Sequence, residues 1–134
     1  MDFFLLLLIK HAIVDLGFQS QLKNINKEKY FGNGHIHYVH HGLATLIIAA
    51  LFLQVIPALI CAFLDYVIHW HIDYGKHKIN KIFKIKSRTT AWWWTNVTDQ
   101  CLHFLTYYCL AKYINVLFFL LLILFQDNLG VMFG

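Results

Sequence analysis

The sequence predicts an all-α fold, a four-transmembrane-helix bundle with a cytoplasmic-side His/Asp cluster. Three observations carry this. The chain is 59% hydrophobic and 13% charged, whereas soluble domains are about one-quarter charged. Its apolar residues fall into four runs, near 3–19, 38–55, 57–75 and 92–125, each long enough to need lipid to cover it. Every run also carries a His or Asp pair spaced four apart, about one helical turn. Residues 1–134 are read as one membrane domain.

The first run, FFLLLLIKHAIVDLGFQ, starts lipid-soluble and then places His11 and Asp15 on one helix face. An ionisable residue in such a helix is costly and marks a functional site by default. Met1–Phe18 makes a poor signal peptide, because Asp2 stands where a basic start is needed and no small-residue cleavage site follows. The second and third runs are nearly continuous. One helix from His37 to Tyr74 would be about 55 Å long, against a hydrocarbon core of about 30 Å. A turn is therefore expected around Gln54–Pro57, where Pro57 lacks a backbone donor and disfavours helix at Ile56. The fourth run exceeds one span, so it either tilts or ends in an interfacial piece after Lys112. Cys61, Cys101 and Cys109 form no CxxC pair and read as small buried hydrophobes.

Basic residues set the orientation. Lys23, Lys27 and Lys29 lie between the first two runs, and Lys76, Lys78, Lys81, Lys84, Lys86 and Arg88 follow the third. The turn near Pro57 has none. The positive-inside rule puts both basic loops in the cytoplasm and both termini away from it, in a bacterial inner membrane. Trp92, Trp93 and Trp94 then open the fourth run as an interfacial belt. Bases placed this way serve membrane orientation, and no nucleic-acid partner is expected. The oligomeric state is left open.

With this topology the polar pairs share one depth. They are His11 and Asp15, His37 and His41, His69 and Asp73, and Asp99 and His103. The turn lies almost midway between His41 and His69, which levels the second and third pairs. HAIVDLG at 11–17 also matches HWHIDYG at 69–75 as HxxxDxG, a weak internal repeat. Five His and three Asp suit one or two divalent metal ions. Imidazole with carboxylate is compatible with zinc, manganese or iron. Outside this set, His35, His40, His71 and His77 are expected to be loop or interface residues.

The combined pattern resembles the small prokaryotic and phage membrane protein family catalogued as domain of unknown function thirty-three-oh-seven. The residues that carry it are His11, Asp15 and Gln19; His37 and His41; His69, Asp73 and Lys76; and Asp99, Gln100 and His103. It covers the chain to about Lys112 and implies no established activity. A looser similarity links it to membrane-bound metal-dependent hydrolases.

The function expected from these residues is metal-dependent hydrolysis at the cytoplasmic leaflet, on a phosphoester-bearing lipid or head group. Bound metal would activate water. Asp99, Asp15 or Asp73 would act as general base, with Asp99 favoured because DQCLH opens its helix nearest the water. Lys76 would meet an anionic head group or snorkel to the interface. The alternatives are a divalent-cation or proton transporter or channel, and a non-catalytic phage or host membrane factor stapled by metal. LLLLI and AALFLQVIPALICAFL leave the outer half almost without polar residues, which disfavours a through-path.

Overall fold

The computed structural model describes residues 2–18, 27 and 29–133; of these, the side chains of Leu16, Phe18 and 124–133 lie outside the described set. Gln19, Lys23 and Asn26 fall outside it as well. Among the described residues the fold is all-α. Helix α1 spans Phe3–Ile13 and runs on as a π turn over Val14–Phe18; α2 spans His35–Ala49, α3 Val55–Ile82 and α4 Thr90–Phe133.

Local chemistry explains the ends. Asp2 caps α1 by accepting from the Phe4 N–H at 2.9 Å. Thr89 does the same for α4, its Oγ1 accepting from the Trp92 N–H at 3.3 Å. The connection before α4 bends through Lys84 and Arg88, both at positive φ.

Two expected boundaries move. The chain turns at Ala50–Gln54, and Pro57 sits in the first turn of α3. That turn's N–H groups have no intrahelical partner, so proline loses nothing there. The fourth run breaks nowhere after Lys112; α4 is one helix of 44 residues.

Each helix packs on two neighbours, closing the ring α1–α2–α3–α4. Adjacent helices run antiparallel. Thr45 meets Asp65, and His37 meets Asp73, so α3 descends as α2 rises. Helices α2 and α3 approach closely at Gly42, where an added Cβ would lie 3.1 Å from the Ala62 carbonyl oxygen.

The bundle is apolar outside and polar within. Leu5, Ile9 and Ile13 form an exposed stripe on α1, as do Ile36, Val39, Leu43 and Ile47 on α2. Cys61 is buried, but Cys101 and Cys109 are exposed, so only one of the three cysteines is the buried hydrophobe expected. An apolar outer face does not distinguish lipid from core in the sequence. Leu7, Ala49, Ala58, Cys61, Tyr107, Leu110 and Ile114 pack as the apolar core near the α2–α3 turn.

Helices α3 and α4 are long and apolar enough to cross a membrane. Helix α2, with 15 residues, is only about 22 Å long.

Candidate metal centre

The polar interior starts where the apolar core ends. His11 from α1, His37 and His41 from α2, His69 from α3 and His103 from α4 are all buried, with Asp73 and Asp99 beside them. His69 stands at the middle. Its ring stacks on His41 with centroids 3.7 Å apart and on His103 at 4.0 Å. His37 lies 5.3 Å away and His11 5.5 Å. The four-residue spacing has its physical effect here: each helix turns the same face inward on successive turns.

Three overlapping groups have donor atoms close enough to hold a metal ion. They are His11, Asp15, His41 and His69; His37, His69 and Asp73; and Asp73, Asp99 and His103. The eight residues singled out by spacing are thus brought together. The carboxylates differ in access. The Asp15 side chain is 22% exposed, whereas Asp73 is 4% and Asp99 2% exposed. Asp99, expected nearest the water, is therefore the least exposed of the three.

Several donor atoms fit a cation because no hydrogen bond among the described residues uses them. Among the described residues, His37 Nδ1, both ring nitrogens of His69, His103 Nε2 and Asp99 Oδ1 are buried without a hydrogen bond, while His37 Nε2 approaches Asp15 Oδ1 at 3.2 Å. Buried polar atoms are normally paired, and imidazole and carboxylate are ordinary ligands for zinc, manganese or iron.

The atoms around Asp15 are engaged instead. Asp15 Oδ1 lies 3.1 Å from His41 Nε2 and 3.2 Å from His37 Nε2, and Oδ2 lies 3.2 Å from His11 Nε2. His11 also contacts Gln100 Oε1 and the Tyr107 hydroxyl, each at 3.1 Å. Asp15 stands in the π turn, a distortion that recurs at functional sites.

Two lysines face the remaining carboxylates. Lys27 Nζ donates to Asp73 Oδ2 at 2.5 Å. Lys76 Nζ donates to Asp99 Oδ2 at 2.8 Å. Lys76 was expected to meet a head group or snorkel outward; it turns inward because a buried carboxylate attracts it more strongly than water does.

Sequence reasoning overlooked a second polar layer, one turn deeper. Lys10 Nζ donates to Asp65 Oδ2 at 2.7 Å and to the Tyr107 hydroxyl at 3.1 Å. Thr45 Oγ1 donates to the same Asp65 oxygen at 2.6 Å. Thr45, Asp65 and Tyr107 each stand four residues from a cluster histidine, so extending the helical stripe by one turn would have found them. Lys10 and Asp65 are opposite charges isolated in apolar runs, which is itself a pairing signal.

His35 and His71 bond away from the cluster. His35 contacts the Tyr66 hydroxyl at 2.7 Å, and His71 the Val67 carbonyl at 2.7 Å.

A groove of about 800 Å³ runs between α3 and α4 beside this centre, with Ile72, Ile79, Trp94 and Leu102 among its apolar walls and Lys76 and Asp99 in its lining. A second groove continues it past Ile68 and Leu102 toward Ile114 and Leu117.

Comparison with family models, curated proteins and solved structures found no match.

Proposed function

We propose that this protein is an integral membrane metal-dependent hydrolase, with its four helices in the bilayer and its His/Asp centre at the cytoplasmic leaflet. The observation that carries the reading is the set of unused, buried His37, His69, His103 and Asp99 donors at the meeting point of four helices. The apolar stripes on α1 and α2 support burial of these shorter helices in lipid beside α3 and α4. The basic loops set the orientation, with both termini away from the cytoplasm.

Divalent ions held there would polarise a phosphoryl or acyl oxygen and lower the pKa of a water toward neutrality. The chain supplies the rest. One of Asp15, Asp73 or Asp99 accepts the proton of the attacking water. Lys76, on the groove wall and paired with Asp99, would orient an anionic group once a cation takes over that carboxylate. The apolar groove fits an acyl chain, which favours a phosphoester-bearing lipid as substrate.

A transporter is disfavoured by the closed Lys10–Asp65 layer and the apolar core behind it, which block a path through the bundle. A metal-stapled membrane factor has one specific support, the Asp15 hydrogen bonds that already tie α1 to α2. Elemental analysis of the purified protein, followed by a screen of phospholipids and soluble phosphoesters, tests the reading. Bound metal with turnover is expected; metal with no turnover of any ester favours the staple. Cysteine labelling at Lys81 from the cytoplasmic side tests the orientation, and labelling only from outside would reverse it.

A further inference from the structure

The cluster's eight donors are not equivalent. Lys10 Nζ lies 3.4 Å from His41 Nδ1. An ammonium has only protons to offer, so Nδ1 accepts, and the imidazole proton stays on Nε2. That proton points at Asp15 Oδ1, 3.1 Å away. His41 therefore has no lone pair for a cation unless the Lys10–Asp65 pair is broken.

The donor atoms without a hydrogen bond among the described residues belong to His37, His69, His103 and Asp99. Asp73 presents its two oxygens in different directions. Oδ2 is 4.0 Å from both His37 Nε2 and His69 Nε2, and Oδ1 is 3.5 Å from His103 Nε2. Asp99 Oδ1 is 3.8 Å from the same His103 atom. Ligands on a tetrahedral ion with bonds of about 2.1 Å lie about 3.4 Å apart, close to these separations. The two three-donor groups share Asp73 and no other residue. Three protein donors leave open coordination positions, as in catalytic sites.

Resting on the metal-binding reading above, we infer that His37, His69, Asp73, Asp99 and His103 hold two cations bridged by Asp73. Lys10 is a positioning residue that keeps His41 out of coordination, as a hydrogen-bond donor to Asp15. A cation entering at His37 and His69 replaces the Lys27 ammonium on Asp73 Oδ2. The second enters beside Lys76, on the wall of the α3–α4 groove.

The test is cobalt(II) loading of the full chain in detergent, with metal counted per folded chain and folding checked by circular dichroism. Wild type should bind two ions. His69→Ala, His103→Ala and the shape-preserving Asp99→Asn should each lose one, and His41→Gln should keep both. Nitrogen-15 spectra of the loaded protein should show His41 as the Nε2–H tautomer. Replacing the pair together, as Lys10→Met with Asp65→Leu, should turn that signal into a tautomer mixture. If His41→Gln loses as much cobalt as His69→Ala, the exclusion of His41 is overturned while metal binding stands. One ion in wild type overturns the bridge. No cobalt in wild type overturns the metal reading itself.

Discussion

Replacing Lys10 by methionine should destabilise the protein severely, and the reason lies in its partner. The Lys10 and Asp65 side chains are 3% and 1% exposed, with Nζ and Oδ2 2.7 Å apart. Solvent screens neither. After Lys10→Met the Asp65 carboxylate keeps neutral hydroxyl donors, Thr45 and Tyr107, and loses its cation. Stranding one member of a buried ion pair costs about 3–5 kcal/mol, about a fifth or more of a typical stability of about 5–15 kcal/mol. Adding Asp65→Leu removes the stranded charge. What remains is an unpaired hydroxyl at Thr45, about 1–3 kcal/mol, since the Tyr107 hydroxyl keeps His11 Nδ1 at 3.1 Å. The double variant should therefore recover about 2 kcal/mol over Lys10→Met. Reversible unfolding in mixed micelles, followed by circular dichroism across a double-mutant cycle, reads both numbers. A Lys10→Met cost below about 1 kcal/mol, or a double variant as unstable as the sum of the singles, would refute the pair as a coupled buried unit.

Other outcomes follow from the same geometry. His35→Ala and His77→Ala should keep full metal content, while His69→Ala should reduce it, measured by elemental analysis on folded protein. Among Asp15→Asn, Asp73→Asn and Asp99→Asn, a hydrolase should have one variant that keeps metal but loses about 10²–10⁴-fold in turnover; Asp15 is favoured, being the most exposed carboxylate of the three. Parallel loss of metal and stability in all three would favour a structural site. Gly42→Ala should cost about 1–3 kcal/mol, because the new methyl would sit 3.1 Å from the Ala62 carbonyl oxygen and 3.3 Å from Tyr66 Cβ. An unchanged unfolding midpoint would show that α2 and α3 separate freely.

What the sequence determined by itself was periodicity and polarity. Apolar runs dictated helices, and His and Asp pairs four residues apart dictated faces, so the all-α bundle and the eight convergent residues were legible without coordinates. Turn position was less so. Pro57 was read as the break, yet a proline in a first helical turn forfeits no hydrogen bond, and the chain turns before it. Pairings across helices were decided only by tertiary structure. Lys76 reaches Asp99, 23 residues on, and Lys10 reaches Asp65, 55 residues on. No local rule links such residues, because spacing fixes the face a side chain occupies but not the neighbour it meets. The same limit hid the difference between used and unused donors. His41 and His69 each stand in a four-residue pair, yet one lies beside an ammonium and the other beside four imidazoles. Which of them has a lone pair to offer depends on proton donors from other helices, and packing alone brings those into reach.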